Sequence, residues 1–387
     1  MSPRDAGSAP GPRRLRTGTA ALSLVLAAGL NGAAGAADLS GAMPTKAPAM
    51  SDPPMGADGH DVHGTIPAGV YGAAMVGAGK FMFSYTPSFM HMSGNYVGTG
   101  EVSPQTIATT VRTPPGSMAP FYRIVPTSMD MDMHMFHAMY GVTDWLNVMA
   151  MTSYNYKTMT MTTFAGMMGT AVRGTSSAST EGFGDTMVSA LWRLYDDGTH
   201  HVHANLGFSL PSGSTTESVT MLPPMGMAMT MRANYGMQLG TGTVDFAPGL
   251  TYTGQLRRWS WGAAYRGRFS LDSNGEGYRY GNLTDLTAWA GYSWIHGVTT
   301  TFRVDGTVQS AIHGFDPAIT GLMQGANPAF YGGSRINLLG GVEIEGALIG
   351  LRNLHLAAEG GAPVYQNLNG PQLGQAWQVN VALRAGF

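Results

Sequence analysis

About twelve stretches of this chain alternate apolar and polar residues, and the connections between them are by turns long and short; nothing else in the sequence limits its fold as tightly. Trp377, Val379, Val381, Leu383, Ala385 and Phe387 alternate with Gln378, Asn380, Ala382, Arg384 and Gly386, the period of a strand with one apolar and one polar face. Similar runs cover 79–92, 128–140, 146–161, 183–195, 201–210, 241–254, 258–272, 282–295, 298–312, 334–345, 351–364 and 374–387. Odd-numbered connections are the longer ones, as at 93–127 and 211–240. Even-numbered ones are tight, as at Leu256-Arg257, Gly297 and Asp196-Asp197-Gly198. A soluble sandwich has no reason to alternate in this way. A transmembrane antiparallel up-and-down β-barrel does, with short turns on the periplasmic side and long loops outside.

Composition points the same way. Charged residues make up 11% of the 387, against about 25% in a soluble domain. With 21 basic and 23 acidic side chains there is no basic surface for nucleic acid. The 55 glycines and 22 prolines argue against a helical protein, and the absence of cysteine removes disulfides, thiolate metal sites and cysteine nucleophiles together. Arg13, Arg14 and Arg16, an apolar run over 19–30 and Ala34-Gly35-Ala36 are laid out as a secretory signal peptide over 1–36. Residues 37–78, rich in Pro, Gly and Met and containing His60 and His63, read as a flexible arm or plug, and 79–387 as an outer-membrane β-barrel of 12 strands.

In such a barrel the apolar face meets lipid. This sends Lys157, Asp185, Arg193, Asp245, Arg266, Arg268, Asp285, Arg303, Asp305, Arg335, Glu343, Glu345, Glu359 and Arg384 inward as pore-lining residues. So many ions in a dry core would cost several kcal/mol each unless paired, and a wet lumen removes that cost. Trp145, Trp192, Trp259, Trp294 and Trp377, near strand ends, suit interfacial girdles. Phe387, a terminal aromatic closing an outward apolar face, is the expected signal to the barrel-assembly machinery.

Three blocks resemble a family. They are Met129-Asp-Met-Asp-Met-His-Met-Phe-His-Ala-Met-Tyr-Gly-Val-Thr-Asp-Trp145, the run from Phe183 to Gly198, and Pro363-Val-Tyr-Gln-Asn-Leu-Asn-Gly-Pro-Gln372. Together they are similar to the phenol-degradation meta-pathway family of outer-membrane transporters, over about 68–387. The resemblance implies a barrel in the bacterial outer membrane that passes a small solute. Relatives often carry Gly-Asp-His-Met-His before the first strand, where this chain reads Gly72-Ala-Ala-Met75.

The candidate sites follow from parity. In Met129 to Met135 the methionines share one face and Asp130, Asp132 and His134 the other, so the run cannot offer all of them to one copper ion. With the carboxylates inward as pore-lining groups, the methionines fall against lipid. Met149, Met151, Met159 and Met161 then share the lumen face with Lys157, and two readings stay open: a mixed patch with His134, or an Asp130 to Lys157 ion pair. His60, His63, His134, Met149 and Met151 are the candidate ligands for copper or zinc; otherwise no cofactor is expected. No Gly-x-Ser-x-Gly or His-Glu-x-x-His motif is present, so an enzyme is not expected. The expected function is passive permeation of small, apolar or aromatic molecules, with a surface metal-handling protein and a barrel without flux as rivals.

Overall fold

The computed structural model describes residues 65–387 apart from Arg352. The signal peptide expected over 1–36, and the part of the arm that holds His60 and His63, lie outside the described residues. In chain order the strands are β1 (Phe81–Gly98), β2 (Gly100–Val102), β3 (Ile124–Thr143), β4 (Leu146–Phe164), β5 (Val172–Phe183) and β6 (Thr186–Asp196). There follow β7 (His200–Leu210), β8 (Ser218–Met221), β9 (Met229–Arg232), β10 (Asp245–Leu256), β11 (Trp259–Ser270) and β12 (Tyr278–Arg279). The last are β13 (Leu283–Ile295), β14 (Val298–Gln309), β15 (His313–Gly314), β16 (Gly333–Glu345) and β17 (Leu354–Gly386).

Eleven of these pair in a ring, each junction antiparallel, and β17 returns to β1, so the sheet closes on itself. A ring with an odd number of members cannot be antiparallel throughout. The contradiction is resolved within β17, whose residues 355–368 pair with β16 and whose residues 368–386 pair with β1. The amide of Gly386 donates to the carbonyl of Asn353 at 2.9 Å, so the 33-residue strand is a hairpin and the wall is crossed twelve times. The eleventh connection, expected to be long, is this tight fold-back. Both its strands run further than the apolar alternation does, because Gln366, Asn367 and Gln372 carry the ladder as polar residues. The sequence also left β5 unmarked: its Ser and Thr side chains show no apolar face, yet Thr158 and Ser179 hydrogen bond across the ladder at 2.9 Å.

Closure pairs the wall's backbone groups with one another, which is what lets strands cross lipid. Phe81, Phe83, Val148, Leu206, Phe208 and Phe302 are exposed on the outer face, so the barrel presents an apolar belt and belongs in a bacterial outer membrane. A membrane strand needs about 9–11 residues. β1, β3 and β4 have 18, 20 and 19, so their loop-side halves stand clear of the belt.

Candidate functional site

Residues 65–80 run inside the barrel. Ile66, Val70, Ala73, Met75 and Val76 are buried, and the backbone around them is held by side chains from strands all round the wall. The Ile66 amide donates to Glu343 at 3.1 Å and that of Gly69 to Glu359 at 2.9 Å. Arg384 donates to the carbonyls of Ile66 and Pro67 at 2.8 and 2.9 Å. Trp289 reaches Thr65, His203 reaches Gly72, and Asn147 reaches Val76. Arg266 donates to the Tyr71 carbonyl and lies 4.0 Å from the centre of its ring, a cation–π contact. Such a segment touches facing strands only if it fills the lumen. It leaves through the short-turn end, where the Gly79 amide donates to the Gly141 carbonyl at 2.8 Å.

The inward charges therefore do more than face water. Arg303, Glu359 and Asp305 form a buried network, with Arg303 at 2.7 Å from Glu359 and 3.0 Å from Asp305, and Asn337 donating to Asp305. Glu343 also meets His355 at 3.2 Å, and Arg335 donates to Gln366 and Gln375. Asp285 stands across the ladder from Arg266. Lys157 and Asp185 tie down a loop: the ammonium donates to the carbonyls of Gly236 and Gln238, and the carboxylate accepts from Gly213 and Thr241. Asp245 is fully buried beside Thr243, with Arg268 at 3.8 Å. Arg193 pairs with Asp196 at 3.0 Å. Glu345 sits at the strand end, where its amide donates to the Gly297 carbonyl.

Asp130, Asp132 and His134 are a correction: they lie on the outer face. Met129 and Met139 are buried against loop and plug methionines, so the residues between them in parity point out. Asp130 keeps 60% of its side chain exposed and meets the outer His91 at 2.6 Å, while His134 bonds Tyr85 at 2.7 Å. The physical reason is strand length. Some ten residues above the Thr143 turn the apolar belt ends, and the three polar residues begin there. Lys157 pairs in register with Met131, so the ion pair with Asp130 does not form. His134 and the inward Met149 and Met151 are on opposite faces and cannot share an ion.

With that parity the methionines line the lumen. Met82, Met139 and Met149 stand side by side across three strands, as do Met92, Met129 and Met159, with the pair Met90 and Met131 between the rows. The lower row packs on Met75 of the plug, the upper on Met237 and Met323 of the loops. Asn234 donates to the sulfurs of both Met159, at 3.5 Å, and Met323, at 3.0 Å. One side of the lumen is thus thioether and the other, around β14 to β17, ionic.

The long loops fold over the outer end. Arg123, fully buried, donates to the carbonyls of Ala108, Ala165, Gly166, Met168 and Gly169, gathering two loops on one guanidinium. Tyr235, Tyr278, Ile312 and Ile319 form a second loop cluster. Beneath this cap is a cavity of about 380 Å³, walled by Met92, Met129, Met131, Met159, Tyr331 and Arg335. His137 was missed by the sequence reading, although it shares the parity of the lumen methionines.

No family model and no curated protein matches the chain. Among solved structures, an outer-membrane channel from Pseudomonas putida F1 is similar with a TM-score of 0.52 at 9% identity, over 82% of this chain and 99% of that one. The toluene transporter of Ralstonia pickettii gives 0.40 at 14%, over 81% and 90%. The toluene transporter of P. putida gives 0.38 at 10%, over 80% and 90%. The first of these likenesses establishes the fold, a closed barrel of the kind found in outer-membrane channels.

Proposed function

We propose that the protein is an outer-membrane channel for passive permeation of small apolar or aromatic molecules, gated by its loop cap and its plug. The observation that carries this is the capped cavity. Its volume of about 380 Å³ is at the low end of ligand pockets, roughly 300–1,000 Å³, and one wall is a bank of methionines. Thioether side chains are flexible and make favourable contacts with aromatic rings, so they suit passage of an apolar solute without tight binding. The resemblance of residues 68–387 to the phenol-degradation meta-pathway family fits the same solute class. Lipid and the barrel-assembly machinery are the partners in this reading, with Phe387 as the signal to the latter; its backbone already closes the seam to Phe81 in both directions, at 2.8 and 3.0 Å.

The test is uptake of a labelled single-ring aromatic by cells carrying the protein, a Met131→Glu, Met159→Glu variant, or an empty vector. Faster uptake with the protein, lost in the variant while the heat-modifiable band is kept, is the expected result. Equal uptake in all three would leave a barrel without flux.

A further inference from the structure

The lumen holds a group that the permeation reading does not use. His137 is 6% exposed, and its Nε2 is buried without a hydrogen-bond partner. Burying a polar nitrogen unpaired is costly, and native structures seldom do it without a reason. Its surroundings mix sulfur with hydroxyl groups: Ser84 stands directly across from it on β1, and Thr86 lines the same cavity as His137. On the same face of β3 it lies between Met135 and Met139, it is directly across from Met151 on β4, and it is diagonal to Met82 and Met149. Cross-strand neighbours are about 5 Å apart and diagonal ones about 7–8 Å, within reach of long side chains. Met82, His137 and Met149 line one small cavity, of about 100 Å³, beside the plug, with Tyr71 closing one side at 5.8 Å from the imidazole.

We propose that His137 Nε2 and the thioethers of Met82 and Met149 form a binding site for a soft monovalent cation, Cu(I) or Ag(I). Thioether and imidazole are ligands that favour Cu(I), whereas calcium, magnesium and manganese want oxygen. Among the described residues no group of three His, Asp or Glu side chains is gathered for a harder ion. Arg266 and Arg384 stand near the imidazole; the first is engaged by Tyr71, the second by the carbonyls of Ile66 and Pro67. Their positive charge repels a divalent ion about twice as strongly as a monovalent one at the same place. The methionines running from the upper row to the lower supply further soft contacts along the way in. This inference is independent of the permeation reading, because it concerns the plug end of the lumen and not the cavity under the cap.

The experiment is anaerobic competition for Cu(I) between the full chain in detergent and a chromophoric Cu(I) chelator, with Zn(II) as the contrasting ion. The folded protein is expected to withdraw one Cu(I) per chain and no Zn(II) at the same site. His137→Leu should abolish this, and Met149→Leu should weaken it at least tenfold, both keeping the heat-modifiable band. His60→Ala with His63→Ala should leave it intact. X-ray absorption should show nitrogen and sulfur scatterers together. The proposal is overturned if folded protein takes no Cu(I), if His137→Leu binds as well as the parent, if Zn(II) competes equally, or if the His60 and His63 variant loses the ion.

Discussion

A lumen charge whose partner is removed is the most sensitive test at the residue scale. Glu359 is almost fully buried, and its ionic partner is Arg303. Arg303→Ala leaves an uncompensated carboxylate and is expected to destabilise the barrel by about 3–5 kcal/mol, read as an earlier loss of the heat-modifiable band in a denaturant series. The outer carboxylates behave differently. Asp130→Ala with Asp132→Ala should leave single-channel current unchanged, since both side chains are outside, whereas Met131→Arg places a charge in the lumen and should alter current and ion preference strongly. The opposite ranking would restore the inward assignment. That assignment failed for a physical reason. An alternating run shows that two faces differ, and the rule that the apolar one meets lipid holds only inside the belt and only while the lumen is polar. In β3 both conditions fail: the lumen side is methionine, and the polar residues sit above the lipid. In the ladder, Met129 pairs with Met159 and Met131 with Lys157, so the inward sense of β4 could have set β3 correctly.

At the scale of elements, the strands were legible because period 2 persists wherever one face is apolar, and β5 was not because a Ser/Thr strand standing in water has no such contrast. Composition sets 37–78 apart from the strands but leaves arm and plug open, and the seat of 65–80 was not legible, since that depends on which carboxylates and guanidiniums the closed barrel brings together. Gly69 shows how close the seat is: a Cβ there would collide with the Glu359 carboxylate, the Arg303 guanidinium and Asn380. Gly69→Val should therefore loosen the plug and raise the frequency of open events in planar bilayers, with little change in total assembled protein. The cap has its own handle. Burial pushes Tyr278 up to about 12 and raises Tyr235, Tyr280 and Tyr331 above the usual tyrosine value near 10. Below pH 10 these phenols are neutral whether the cap is closed or open, and their contribution to closure is complete. As pH rises from 10 towards 12 the open cap gives up protons that the closed one keeps, so closure weakens over that window. Current should rise there, reversibly; current that stays flat up to about pH 12 would mean that the cluster does not hold the cap.

For the whole molecule, closure at two ends raises the question of which end limits flow. The cap is loop packing around Arg123 and the tyrosines, whereas the plug is a single covalent segment whose backbone is held by Glu343, Glu359, Arg384, Arg266, His203 and Asn147. Removing residues 37–64 leaves all of these bonds in place and is expected to leave the current at its closed level. Removing 37–76 takes away every one of them. The wall itself should survive, because its backbone pairs are made strand to strand and the seam between Phe81 and Phe387 lies beyond the deletion. What changes is the lumen, where the Arg303, Glu359 and Asp305 network and the pair of Glu343 with His355 become wet and free to screen a passing ion. The expected outcome in planar bilayers is a steady ohmic conductance for the 37–76 deletion, with an ion preference that weakens as salt is raised, since screening at about 1 M salt acts over roughly 3 Å. If that deletion assembles and stays closed, the cap alone is the barrier, and flow through this barrel is governed from the outer side.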